Sequence, residues 1–152
     1  MSAFHLRPAE LGDVRPMINM LAEAVPSCSP QTVWDIPWSW RNYRVVCDDD
    51  GTIHAVGSLQ EVDGHTVELR GLTVSPRKRG RGLAALLLSH LLDRARDAGM
   101  RMVCVTKNPA FFERFGFRHT APHWLEHDPH RRLGLGARTP SARVAMASTA
   151  HA

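Results

Sequence analysis

Apolar residues fall at helical spacing in two stretches of the chain. Val14, Met17, Ile18, Leu21 and Ala22 share one face within Asp13–Ala24, and Pro26 lies beyond its end, so a first helix is predicted there. Leu83, Leu87, Leu91, Ala95 and Ala98 form a second stripe, with Gly99 placed to stop that helix. Elsewhere the spacing is that of strands. Phe4–Arg7, Tyr43–Cys47, Ile53–Val62 and Thr66–Val74 read as strands, with a turn at Asp48-Asp49-Asp50-Gly51 and a tight hairpin at Asp63-Gly64. Met102–Thr106 is almost wholly apolar, as expected of a strand covered on both faces. Pro109–Phe115 predicts a short helix with proline at its first position, and Phe117–Thr120 and Ser141–Ala147 predict further strands. Pro26–Trp40 holds three prolines and three tryptophans without a clean period, which predicts an irregular segment or a short helix. Hairpins first, then one strand–helix–strand crossover, imply a mixed α/β chain built on an open mixed sheet.

The composition narrows this picture. With 152 residues, 43% hydrophobic and 22% charged, the sequence reads as one globular domain, 1–152, with a frayed tail at 148–152. Its longest strictly apolar run, Leu83–Leu88, is far too short to span a bilayer. Met1–Arg7 lacks a basic stretch followed by an apolar one, so no export signal is expected. Cys28, Cys47 and Cys104 are odd in number and widely spaced, which fits neither a disulfide framework nor a cysteine zinc site. A reduced, cytoplasmic setting is expected.

The formal net charge of +4 is local. Five bases (Arg70, Arg77, Lys78, Arg79 and Arg81) and no acid lie between Leu69 and Leu92, while the remainder carries 14 bases against 15 acids. Such a patch suits nucleic acid, a membrane surface or a phosphorylated cofactor. Its glycines discriminate. Val74-Ser75-Pro76-Arg77-Lys78-Arg79-Gly80-Arg81-Gly82-Leu83 joins a strand to a helix, and the first amides of a helix have no internal partners and carry the positive end of its dipole. Gly80 and Gly82 let the chain bend and let an anion approach without a Cβ in the way. Arg79-Gly80-Arg81 also has the look of a solvated loop, a minor-groove insert or a localisation signal. Those inserts belong to disordered segments, whereas this one is wedged between a strand and a periodic helix, so a diphosphate is the preferred ligand.

These residues also resemble a family. Arg77-x-x-Gly80-x-Gly82 resembles the [Q/R]-x-x-G-x-[G/A] loop of the GNAT superfamily of acyl-CoA-dependent N-acyltransferases. Glu68-Leu69-x-x-Leu72-x-Val74 is similar to the strand before that loop, and Asn108–Phe117 to the family's N-x-x-A-x-x-[YF]-[EK]-[KR]-x-G-F segment. Leu6-Arg7-Pro8-Ala9-x-x-x-Asp13 is similar to its first strand and helix cap. The likeness covers about residues 4–120. It implies an open, mostly antiparallel sheet with helices on both faces and a V-shaped splay between the strands near 66–74 and 102–106.

The resemblance further implies an acetyltransferase using acetyl-CoA and no metal, with amides of Arg79, Gly80, Arg81, Gly82 and Leu83 on the diphosphate. Backbone groups of Leu72, Thr73 and Val74 would pair with the pantetheine arm, with Asn108, Phe111 and Phe112 beside it. Gly71, inside a good strand, marks a candidate bulge. Glu68 matches the position of a strand glutamate base, and strand alternation sets it on one face with Arg70, Leu72 and Val74. His54, His65, His119 and His123 are rival bases. Phe112 stands where many members carry the tyrosine that protonates the departing thiolate, and the one tyrosine here is Tyr43. Direct attack of an amine on the thioester is therefore expected, with no covalent enzyme intermediate.

The acceptor is less defined. Trp34, Trp38 and Trp40 read either as an aromatic wall of its site or as core. An acidic acceptor would want Arg41, Arg44 or Arg70, and a polyamine would want carboxylates. The run Phe111–Phe117 is also similar to that of small GNAT-type amino-acid N-acetyltransferases, glutamate-acetylating ones among them, which favours a small-molecule amine. His123, His127, Asp128 and His130 fit no standard zinc spacing, and residues 121–140 are expected to form a loop shaping the acceptor pocket. Neither nucleic acid nor membrane is an expected partner, and a monomer or homodimer is expected. The competing readings are an acyl-CoA-binding sensor without turnover and, further off, a basic-loop nucleic-acid binder.

Overall fold

The computed structural model describes residues 3–24, 30–121 and 144–148. In chain order the elements are β1 (His5–Pro8), α1 (Val14–Glu23), α2 (Pro30–Ser39), β2 (Tyr43–Cys47), β3 (Ile53–Asp63) and β4 (Thr66–Val74), then α3 (Leu83–Asp97), β5 (Arg101–Thr106), α4 (Pro109–Glu113), β6 (Arg118–His119) and β7 (Val144–Ala147). The strands hydrogen-bond in the order β1-β2-β3-β4-β5-β7-β6. β4 and β5 pair in parallel, as a strand–helix–strand crossover requires, while β1–β2, β2–β3, β5–β7 and β6–β7 are antiparallel. This is the mixed α/β, mostly antiparallel open sheet that the sequence predicts. Among the described residues no helix is long and apolar enough to cross a membrane.

Contacts divide the chain into two compact units, Met1–Gln60 with Leu69–Arg94, and Glu61–Glu68 with Ala95–Ala152. In the first, one sheet face buries Met17 and Leu21 of α1, Ile36 of α2, Tyr43 and Val45 of β2 and Val56 of β3 in a common core. Alternation turns the next residue, Gly57, to the opposite face. A Cβ built there would lie 3.3 Å from both Leu72 and Leu91 and 3.4 Å from Leu87, so α3 packs down on bare backbone at this point. α1 is fastened at its start. Arg7 donates two hydrogen bonds to the Asp13 carboxylate (2.7 and 3.0 Å), which also accepts the Glu10 N–H at 2.7 Å.

α2 resolves the segment without a period into a ten-residue helix that starts on Pro30 and carries Pro37 within it. Proline fits the first turn, whereas Pro37 supplies no N–H to the helix, which ends two residues later with Ser39 Oγ donating to the Asp35 carbonyl at 2.8 Å. The β3–β4 turn falls on Gly64-His65, one residue beyond the predicted Asp63-Gly64. Gly64 is not among the glycines with positive φ, and the Asp63 side chain holds the turn by accepting the His65 N–H at 2.8 Å.

In the second unit, β5 is buried at Met102, Val103 and Cys104. Its parallel ladder with β4 pairs Thr66–Glu68 with Arg101–Val103. On its other edge β5 pairs with β7, from Val103↔Ala147 to Thr106↔Val144. Ser148 is buried; its N–H donates to the Met102 carbonyl at 2.8 Å and its Oγ accepts the Met102 N–H at 2.9 Å. The expected frayed tail is therefore wrong at its first residue, and 149–152 lie outside the described residues.

Candidate active site

The basic loop has the geometry its glycines imply. Pro76–Lys78 forms a single 3-10 turn, and Gly80 and Gly82 both adopt φ +77°, the left-handed region that favours glycine. Nothing lies within 4 Å of a Cβ built at either. Leu86 N–H donates to the Gly82 carbonyl at 2.9 Å, which starts the hydrogen bonding of α3 and leaves the amides of Leu83 to Ala85 without helical acceptors. Residues 79–82 are exposed, and neither Arg79 nor Arg81 has an ion-pair partner among the described residues. The first amides of α3, the positive end of its dipole and two cations without an ion-pair partner among the described residues thus lie together at this turn.

On β4, Gly71 has φ +65°, and alternation fails there. Arg70 Nη1 stands 3.7 Å from Asp35 Oδ2 on α2, whereas Leu72, two residues on, packs by Gly57 with Leu87 and Leu91 of α3. Arg70 and Leu72 thus occupy opposite faces, which corrects the expectation that Glu68, Arg70, Leu72 and Val74 share one. Leu72, Thr73 and Val74 are half-buried, and Ser75 N–H continues the strand by donating to the His54 carbonyl at 2.7 Å.

Glu68 is 1% exposed and sits opposite Val103 at the last pair of the parallel ladder. Burial pushes the neighbouring Cys104 thiol well up from its ordinary pKa, and the Glu68 carboxylate adds to the shift. A thiol held protonated is a poor nucleophile.

Phe112 is buried, its ring edge-on to Phe111 and Phe117 at centroid distances of 5.2 Å each. Phe111 also leans on Phe115 at 5.3 Å. Asn108 is exposed and precedes α4, its N–H donating to Thr106 Oγ1 at 2.9 Å and its side chain making no cap. Tyr43 is fully buried in the core of the first unit.

Of the rival bases, buried His54 pairs through Nε2 with Asp48 Oδ2 at 2.8 Å, His65 is an exposed turn residue, and exposed His119 lies 3.6 Å from Glu113. His123 lies outside the described residues, as do His127, Asp128, His130 and all of the 121–140 loop after residue 121. Among the described residues no three His, Cys, Asp or Glu side chains group as metal ligands. Trp34 and Trp38 are 73% and 85% exposed, so the core reading fails for both, whereas Trp40 packs on the core with Arg41 stacked at 4.5 Å. Asp35, the Arg70 partner, carries no motif and was not legible in the sequence.

β4 thus runs into a glycine-bent helix start whose first amides lack helical acceptors. The acetyltransferase (GNAT) family model matches residues 15–117, and the chain belongs to that family. It is 31% identical over 86 residues to an uncharacterized N-acetyltransferase, YhbS, of Escherichia coli K12, covering 53% of this chain and 52% of the relative. The chain thus spans about half the length of the curated relatives it matches. Its fold is shared with N-acetylglutamate synthase from Neisseria gonorrhoeae, solved with coenzyme A and N-acetyl-glutamate (TM-score 0.78, 18% identity, 100% of this chain and 36% of that one). It is shared also with Rv2747 from Mycobacterium tuberculosis, solved with CoA (0.77, 19%, 97% and 99%), and with E. coli YhbS in complex with CoA (0.68, 21%, 95% and 81%).

Proposed function

We propose that this chain is an N-acetyltransferase that moves the acetyl group of acetyl-CoA to a primary amine of a small molecule or amino acid, as a monomer or homodimer in the cytoplasm. The observation that carries the reading is the pair of left-handed glycines that bare the first amides of α3. Amides of Arg79 to Leu83 receive the diphosphate. Backbone groups of Leu72 to Val74 take the pantetheine arm. Solved relatives that hold CoA, one with an acetylated amino acid, support both halves of the reaction.

The amine arrives mainly as ammonium and must lose a proton before it attacks. Glu68 accepts that proton, directly or through water. The nitrogen then forms a bond to the thioester carbonyl carbon, the C–S bond breaks, the CoA thiolate leaves with the electron pair, and the second N–H proton, lost as the amide forms, passes to the thiolate or to water. Phe112 has no proton to offer, and none is required for a thiolate whose conjugate acid has a pKa near ~8.5. The protonated, buried Cys104 supports transfer without an acyl-enzyme.

Calorimetry with acetyl-CoA, followed by CoA release across a panel of amines and amino acids, tests the reading. Saturable binding with release that depends on both substrates is the expected result; absence of binding overturns it. The buried Phe112 and Tyr43 favour a second reading, an acyl-CoA sensor, which predicts binding without release for every amine.

A further inference from the structure

A cavity of about 530 Å³ opens in the first unit beside the turn that leads into the glycine loop. Its polar lining comes from Glu23 at the end of α1, Thr52 and His54 at the start of β3, and Ser75, Arg77 and Lys78 after β4. Side chains of Glu23, Thr52, Ser75, Arg77 and Lys78 make no hydrogen bond or ion pair with another described residue. Two cations, two hydroxyls and one carboxylate therefore share a cavity without satisfying one another. The wall behind them is fixed. Asp48 Oδ2 meets His54 Nε2 at 2.8 Å, while Oδ1 accepts the N–H groups of Asp50 (2.9 Å) and Thr52 (3.0 Å).

The arrangement selects a ligand class. Arg77 and Lys78 supply charge for an oxyanion, and the Thr52 and Ser75 hydroxyls supply donors to it. Glu23, an acceptor when ionised, repels a polyanion such as a diphosphate or nucleic acid and welcomes a hydroxyl or N–H beside the anionic group. We infer that this cavity binds a small molecule carrying one oxyanion, phosphate or carboxylate, next to a hydrogen-bond donor, as a site separate from the amides of Arg79 to Leu83.

Inorganic phosphate, which retains a P–OH at neutral pH, and glycolate are the probes for the two oxyanions. Each is titrated into the full chain with and without saturating acetyl-CoA, following the amide resonances of Thr52 and Ser75 and the heat of binding. Saturable binding of at least one probe in both conditions is expected, weakened roughly tenfold or more by Lys78→Gln and by Thr52→Val. Glu23→Gln is expected to raise affinity for sulfate, which lacks the donor. Three results would overturn the inference: no saturable binding of either probe, displacement by acetyl-CoA, or unchanged affinity in both weakening variants. Acetyl-CoA binding is read separately in the same samples, so failure of this site and failure of the donor loop are distinguishable.

Discussion

Glu68 and Cys104 act on each other at the end of the β4–β5 ladder: the carboxylate adds to burial in keeping the thiol protonated. At neutral pH Cys104 is accordingly expected to resist iodoacetamide in the native protein, and initial-rate plots are expected to intersect as for a ternary complex. An acetylated Cys104 peptide or parallel-line kinetics would contradict this.

The same pair sets an alkaline limit on stability. The native thiol titrates above its unfolded value, so above about pH 8.5 the unfolded chain releases a proton that the native chain keeps. The contribution is full below that pH and is lost as pH rises through the native value. Urea titrations at increasing pH are expected to show falling stability that Cys104→Ala flattens.

Glu68→Gln keeps the shape of a buried side chain while removing the base. A roughly 10²-fold or larger drop in kcat is expected, with acetyl-CoA affinity unchanged. The dependence of rate on pH is expected to change with it. A profile matching the wild type would remove Glu68 from proton transfer.

Gly82→Ala separates ligand space from backbone strain because Gly51 offers a control. Both glycines are left-handed, φ +77° and +83°, and both face open space. Alanine at either is expected to cost about 1–2 kcal/mol of stability in chemical denaturation. Only the change at Gly82 is expected to weaken acetyl-CoA binding as well. Equal affinity in the two variants would detach the loop from the donor.

Trp34→Ala and Trp38→Ala remove large exposed rings from α2. Stability is expected to stay within about 0.5 kcal/mol of wild type, while KM for the amine rises and acetyl-CoA affinity holds. Trp40→Ala, which strips a ring packed on the core, is expected to lower the melting temperature instead. An unchanged KM in both surface variants would take α2 out of the acceptor site.

Much of the sheet was legible because its strands are apolar-rich runs bounded by turn residues such as Asp48–Gly51 and Asp63-Gly64, and α3 bears an unbroken apolar stripe. Gly99 ends that helix as its position implied, with φ +69° and the Met100 N–H returning to the Ala95 carbonyl at 2.8 Å. α2 was not legible. Its two exposed tryptophans and internal proline mask a periodicity that rests on few buried positions, Ile36 among them. Gly71 was readable as a bulge, but its effect on Arg70 and Leu72 required knowing where α2 and α3 lie against β3 and β4. Glu68 came from its motif, whereas its influence on Cys104 depends on the register of two strands far apart in sequence.

β7 is threaded between β5 and β6, although it follows both in the chain. Until Val144–Ala147 has been synthesised, one side of Val103–Thr106 therefore has no partner, and an apolar run offers a bare row of amides and carbonyls to any passing strand. A nascent or clipped polypeptide ending before Val144 is consequently expected to aggregate more readily than the full chain.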